Sequence, residues 1–340
     1  METLTEGRPV TARAPSGRRP PEPRRSGIGA LLAAMRPAEW IKNVLVLAGL
    51  VFSRQFDDGS ALLDALLAFL AFCAISSAGY LFNDLRDVEL DRRHPEKRHR
   101  QIATGELRAP TARLAAAALA AGAILVSLVA VDAEVAGLVA LYGAITAAYS
   151  LALKRIVIVD VMTIASLFIL RVVAGAVAVG AQASEFLLIC TGMLALFLGF
   201  TKRRQEAMLE GPLPGPASSA SHPGAAGFAQ PASPAGEPEL AETRPVLEHY
   251  SLPFLDQMIA MVTASAILSY VIYAVDSPLV GSRMLATAPS MLYGIFRYLY
   301  LIYDRRDTRS TAAILTRDPG MVFAGASWIA SALLVLYVVD

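Results

Sequence analysis

The sequence predicts an all-α integral membrane protein with nine transmembrane helices, and three observations predict it. Of the 340 residues, 55% are hydrophobic and 17% charged, with a mean hydropathy of +0.50. Water-soluble domains run nearer roughly 45–50% apolar and about 25% charged. The apolar residues gather into nine runs, each close to the roughly 20 residues that a helix needs to cross a bilayer. Lys and Arg fall almost entirely on alternate segments between those runs. Helices are the natural form, because a backbone in lipid must satisfy its own N–H and C=O groups. Cys73 and Cys190 both lie inside apolar runs, so neither a disulfide framework nor a Cys-rich metal site is available. This composition excludes a secreted disulfide scaffold, a coiled coil and an ordinary soluble enzyme.

The first run, 37–56, is the least regular: Arg36, Glu39 and Lys42 crowd its start, and Trp40 suits an interfacial anchor. The second, 61–82, follows Ser60, a residue type that caps helix N-termini. The third, 110–131, opens on Pro110, whose missing N–H is harmless in a first turn. A short basic segment, Lys154 and Arg155, separates the fourth run, 135–153, from the fifth, 157–180. The fifth carries Asp160 near its start and Arg171 near its middle, where a charge is expensive and faces a cavity or a partner. The sixth, 184–201, begins at Ser184, and the seventh, 254–275, follows Pro253. The eighth, 284–303, contains Arg297, and the ninth is 320–339.

Thirty basic residues against twenty-nine acidic ones leave a formal charge of +1, and no nucleic-acid partner is expected. With a cytoplasmic N-terminus, 25 of the thirty fall on the cytoplasmic segments 1–42, 83–109, 154–156, 202–253 and 304–319, against Arg54 and Arg283 outside. Basic residues favour the cytoplasmic side, so the expectation is a multi-pass plasma-membrane protein, N-terminus inside and C-terminus outside. Residues 1–28, rich in Arg and Pro, read as a disordered basic tail, and they lack the apolar stretch of a signal peptide. The Pro/Gly/Ala/Ser-rich stretch 211–237 reads as a disordered cytoplasmic insertion into a domain spanning 29–340.

The most informative stretch is YLFNDLRDVELDRRHPEKRHRQIATG, 80–105. Asp84, Asp87 and Asp91, spaced by three and four, share one face of a helix leaving the membrane, with Asn83 beside them. Three carboxylates on one face repel unless a cation sits between them. Oxygen-only ligands suit Mg²⁺, which shares phosphate oxygens with a substrate. Lys97, Arg98 and Arg100 supply further positive charge for phosphates. The other reading is a solvated loop with helix-stabilising pairs such as Glu89 with Arg93. His94 and His99 read as phosphate-side or solvent residues.

The pattern Asn83-Asp84-x-x-Asp87-x-x-x-Asp91, at the end of a second membrane helix, resembles the first aspartate motif of the UbiA prenyltransferase superfamily. The stretches 36–53 (RPAEWIKNVLVLAGLVFS), 80–107, 149–176, 201–206 (TKRRQE) and 248–258 (EHYSLPFLDQM) are similar to its decaprenyl-phosphate phosphoribosyltransferase branch. The resemblance implies helices around a central cavity open to the cytoplasm. It also implies a Mg²⁺-dependent transfer of phosphoribose from 5-phosphoribosyl 1-diphosphate (PRPP) to a polyprenyl phosphate, with release of diphosphate. Such a lipid leads to cell-wall arabinan.

Superfamily members that move a prenyl group carry a second aspartate motif after the sixth helix, where this chain has Thr201-Lys202-Arg203-Arg204-Gln205-Glu206. Lys202 and Arg203 would repel a second metal and attract phosphate oxygens, which favours phosphoribosyl transfer over prenylation of an aromatic acceptor. They equally suit a positive-inside flank. Lys42, Lys154 and Arg171 are candidate phosphate ligands, with a topology signal (Lys42) and a structural ion pair (Arg171) as the alternatives, while Arg155 reads as a topology signal. A non-enzymatic lipid-phosphate transporter is the remaining class.

Overall fold

The computed structural model describes residues 27–94, 97–210, 247–275, 281–305, 307, 309 and 311–338. Within them the chain is all-helical: α1 (Gly27–Ala34), α2 (Ala48–Phe52), α3 (Gly59–Arg86), α4 (Val88–Arg93), α5 (Ala109–Ala130), α6 (Ala133–Leu151), α7 (Val159–Ala178), α8 (Glu185–Glu210), α9 (Leu252–Val275), α10 (Ala288–Tyr303), α11 (Thr311–Arg317) and α12 (Pro319–Tyr337). The expected insertion, 211–237, and the expected tail up to residue 26 lie outside the described residues. Gly27 and Ile28 belong instead to α1, which the hydropathy pattern did not mark.

Among the described residues seven helices, α3, α5, α6, α7, α8, α9 and α12, are long and apolar enough to cross a membrane. They coincide with seven of the nine expected runs. The first and eighth runs are composite instead: a 3-10 segment, Pro37–Leu47, runs into α2, and another, Gly281–Thr287, runs into α10.

The first 3-10 segment has a physical reason. Three residues per turn bring positions i and i+3 into line, so Trp40, Asn43 and Val46 form one column. Trp40 Nε1 donates to Ser77 Oγ at 3.1 Å, and Asn43 Nδ2 contacts Cys73 Sγ at 3.3 Å. Trp40 therefore packs on α3. Val46 presses its backbone on α7, where a Cβ on Gly175 would stand 1.8 Å from the Val46 carbonyl oxygen. The same period lines up Arg36, Glu39 and Lys42 in a second, charged column.

Caps fix the helix starts. Asp58, not Ser60, caps α3: its Oδ1 accepts from Ser60 N at 2.8 Å, and Ser60 is a donor to it. Asp318 caps α12 by accepting from Met321 N at 3.0 Å. Arg297, whose part was open, pairs with Asp318 at 3.0 Å and holds that carboxyl below the usual carboxylate range.

Two apolar clusters divide the bundle. One joins the 3-10 segment with α3, α5, α6 and α7 through Val46, Phe72, Ile75, Val139 and Ala174. The other joins α7 to α8–α12 through Val161, Phe197, Leu255, Ile259, Tyr298 and Ile314. Among the described residues only α7 contributes buried residues to both, so its placement aligns the halves. A cavity of about 230 Å³ bounded by Gly49, Phe52, Val172, Leu187 and Tyr273 lies towards the end of the bundle remote from Asp84.

Gly175→Ala forces a backbone shift, and overpacking of this kind costs about 3 kcal/mol or more. Its melting temperature in detergent should fall well below that of Gly122→Ala, where nothing lies within 4 Å of the added methyl.

Candidate functional site

The aspartates stand where α3 gives way to α4. Asp87 ends α3 at φ −92° and ψ 12°, out of helical conformation, although the hydrogen bonds Asp87 N to Asn83 O (2.9 Å) and Asp91 N to Asp87 O (2.8 Å) carry through. That bend splits the single face expected of the three carboxylates. Asp84 and Asp91, both buried, share one guanidinium: Arg100 Nη1 lies 3.0 Å from Asp84 Oδ1 and 2.7 Å from Asp91 Oδ2. Asp87 turns the other way and meets Lys154 Nζ at 2.6 Å, with Asn83 Oδ1 3.4 Å from the same nitrogen.

A second guanidinium covers Asp84. Arg36 Nη2 donates to both carboxylate oxygens at 2.6 and 2.9 Å, and its cation lies over the Tyr80 ring, 4.9 Å from the centroid. Arg36 was read from sequence only as a charge crowding the first run. Its backbone is left-handed, φ 55° and ψ 62°, immediately before Pro37, an uncommon conformation for a non-glycine residue. Its place in the RPAEWIKN stretch was the available signal.

Burial pushes the Asp91 carboxyl above the ordinary range and the neighbouring Asp84 adds to this, while Arg100 and Lys97 oppose it. Lys97 thus acts at the site from the 3-10 turn Lys97–His99. Arg98 is exposed, its Nε 3.4 Å from His99 Nε2, outside the carboxylate set.

The other expected phosphate ligands have protein partners. Lys42 pairs with Glu39. Lys202 approaches Glu206 at 4.0 Å and also acts on the Glu39 charge. Arg203 is buried: its Nε lies 2.6 Å from Asp160 Oδ2, it bonds Glu206, and its Nη2 lies 3.2 Å from Tyr149 Oη. Arg171 is buried too, donating to Asn43 Oδ1 (2.7 Å), Leu167 O (2.8 Å) and Tyr142 Oη (2.5 Å), with Tyr142 and Phe168 rings against its cation. Sequence spacing had left the partners of Asp160 and Arg171 open. Asp160 finds Arg203, and Arg171 finds neutral oxygens and rings.

Asp84, Asp87, Asp91 and Asn83 offer only oxygen donors, which fit a hard divalent cation in kind. Among the described residues no three His, Cys, Asp or Glu side chains converge closely enough to hold a metal ion. Each carboxylate is instead held by a protein cation: Asp84 by Arg36 and Arg100, Asp91 by Arg100 and Asp87 by Lys154. The site is charge-matched: Arg36, Arg100 and Lys154 stand against the three aspartates. A divalent ion exchanged into it would free these cations for anionic oxygens.

Arg100→Ala strips the buried Asp91 of its cation while Asp84 keeps Arg36, and removing one partner of a buried ion pair costs about 3 kcal/mol. Thermal melting in a chelator should show that loss. Millimolar Mg²⁺ should then raise the melting temperature of the variant more than that of the parent.

The profile of the UbiA prenyltransferase family matches residues 29–206. The chain is 32% identical over 267 residues to the decaprenyl-phosphate phosphoribosyltransferase of Corynebacterium glutamicum, covering 76% of this chain and 70% of that protein. It is 35% identical over 191 residues to the protein of the same name from Mycolicibacterium smegmatis, covering 55% of this chain and 60% of that one. Among solved structures, a UbiA homolog from Archaeoglobus fulgidus bound to GPP and Mg²⁺ matches with a TM-score of 0.66 at 18% identity, over 91% of this chain and 100% of that one. This last is a likeness of fold. A family profile over more than half the chain and an aspartate cluster at the end of α3 lead to one conclusion: the chain is a transferase that belongs to the UbiA prenyltransferase family.

Proposed function

We propose that the protein transfers 5-phosphoribose from PRPP to a polyprenyl phosphate, decaprenyl phosphate by its similarity to the named relatives, and releases diphosphate. The observation that carries this reading is the cluster of Arg36, Arg100 and Lys154 on Asp84, Asp87 and Asp91. PRPP brings a 5-phosphate and a diphosphate, and the acceptor brings a third anionic group. An allylic diphosphate and a neutral acceptor would need fewer cations. We place the reaction at the cytoplasmic face of the plasma membrane, with the cavity between nine spans opening there.

Asp84, Asp87, Asp91 and Asn83 would hold Mg²⁺, which when bound supplies positive charge to the departing diphosphate. Loss of diphosphate from the ribose C1 develops oxocarbenium character, and the lipid phosphate, already anionic near pH 7, attacks without a general base. Arg36, Arg100 and Lys154 then bind and orient the phosphate oxygens. Lys42, Lys97, Arg98 and Lys202 add charge around the entrance, steering two anions together against their repulsion. Arg171 and Arg203 act from within the protein by holding Asn43 and Asp160. The polyprenyl tail would lie between apolar helices.

One observation favours a second reading, transfer of a prenyl group from its diphosphate. Asp160 and Glu206 neutralise Arg203 internally, so the TKRRQE segment offers less free charge than its sequence suggests.

Membranes carrying the protein, given PRPP, Mg²⁺ and decaprenyl phosphate, should yield a phosphoribosylated lipid identified by mass, together with diphosphate. Asp84→Ala should lower turnover by more than about 100-fold, and Lys154→Ala should raise the KM for PRPP about 10- to 100-fold. No product from the wild type, or full activity in Asp84→Ala, overturns the proposal. Consumption of a polyprenyl diphosphate with indifference to PRPP establishes the second reading.

A further inference from the structure

Between α6 and α7 the chain makes one 3-10 turn, Leu153–Arg155, and then reverses at Ile158, whose φ is 68° and ψ −45°. Val159 N donates to Val157 O at 2.8 Å, closing a three-residue γ-turn around Ile158. That hand of γ-turn is rare and strained, and a β-branched residue at positive φ is an outlier. Such strain persists only where the surroundings over-determine it. The Ile158 side chain is 39% exposed, so its own packing does little to hold the turn.

The holding group comes from 92 residues away. Tyr250 Oη accepts from Ile158 N at 2.6 Å and donates to Asp160 Oδ1 at 2.7 Å. The second Asp160 oxygen accepts from Arg203 Nε at 2.6 Å. The Tyr250 ring is buried and stacks on Phe254, 6.1 Å between centroids. Burial and the Asp160 charge keep its phenol protonated, as a donor to Asp160 must be. One hydroxyl therefore ties the strained turn to the start of α7 and, through Asp160, to α8. Four residues before that turn stands Lys154, the cation on Asp87 and Asn83.

We propose that Tyr250 is a positioning residue for substrate capture: its hydroxyl holds the Ile158 turn in its left-handed form and so aims Lys154 at the aspartate site. The role of Lys154 in binding PRPP rests on the transferase reading above. Without the hydroxyl, Ile158 N–H and Asp160 Oδ1 each lose a partner and the turn relaxes to ordinary backbone. Lys154 then leaves Asp87, while the ring still fills its place.

The full-length protein in detergent tests this with Tyr250→Phe, Ile158→Gly and the double variant. Two readouts need no activity: amide hydrogen exchange across residues 153–160, and acetylation of Lys154 by acetic anhydride, read by mass spectrometry. Both should rise about tenfold or more in Tyr250→Phe. The KM for PRPP should rise about tenfold with kcat nearly unchanged. Glycine adopts positive φ without cost, so the double variant should return all three towards the parent, and Ile158→Gly alone should resemble it. Unchanged exchange and labelling in Tyr250→Phe, or a tenfold loss that Ile158→Gly does not recover, overturns the proposal. If Tyr250→Phe alone does not fold, the double variant decides: near-parental labelling of Lys154 upholds the proposal, and a tenfold rise refutes it. If the parent does not use PRPP, exchange and labelling still decide the role of Tyr250, and the transferase reading is what fails.

Discussion

Asp160 and Arg203 form an ion pair closed to solvent, with side chains 0% and 1% exposed. Charges taken out of water are tolerated when each finds its opposite and its remaining hydrogen-bonding capacity is filled; removing one leaves the other bare. Here Tyr250 fills one Asp160 oxygen, while Glu206 and Tyr149 take further Arg203 donors. The pair fixes the start of α7 against α8 and against the segment leading into α9. Because among the described residues α7 alone contributes to both large apolar clusters, through Val161 on one side and Ala174 on the other, that anchor sets how the halves of the bundle meet.

The aspartate site obeys the same rule at a wetter boundary. Asp84 and Asp91 are buried, and both accept from Arg100, which remains partly exposed. A charge-matched site of this kind keeps every buried carboxylate paired while its guanidinium groups stay partly open to solvent. Arg171 shows a third arrangement. Among the described residues it has no carboxylate in ion-pair range, and the polar faces of Asn43 and Tyr142 with two aromatic rings stabilise it instead. It thereby locks the 3-10 segment to α7.

Much of the site was legible because its residues are local. Asn83, Asp84, Asp87 and Asp91 sit at helical spacing, and Lys154 follows its span directly. What misled was the assumption that a span is a continuous α-helix. In Pro37–Leu47 a three-residue period, not 3.6, sets which side chains face inward, so the column of Trp40, Asn43 and Val46 did not show in the helical pattern. Basic residues in TKRRQE were equally hard to sort. Lys202 and Arg203 are neighbours in sequence but a hundred degrees apart on α8, and one is half exposed while the other is sealed in.

The sequence by itself determined which stretches are apolar enough to span, on which alternate segments the basic residues gather, and that carboxylates crowd one helix end. Those properties are sums over neighbouring residues and need no fold. Only the tertiary structure decided which cation meets which carboxylate: Arg36 and Arg100 on Asp84, Lys154 on Asp87, Arg203 on Asp160. Each of those partners comes from a different element, and its choice depends on how helices far apart in sequence pack, which no local pattern encodes.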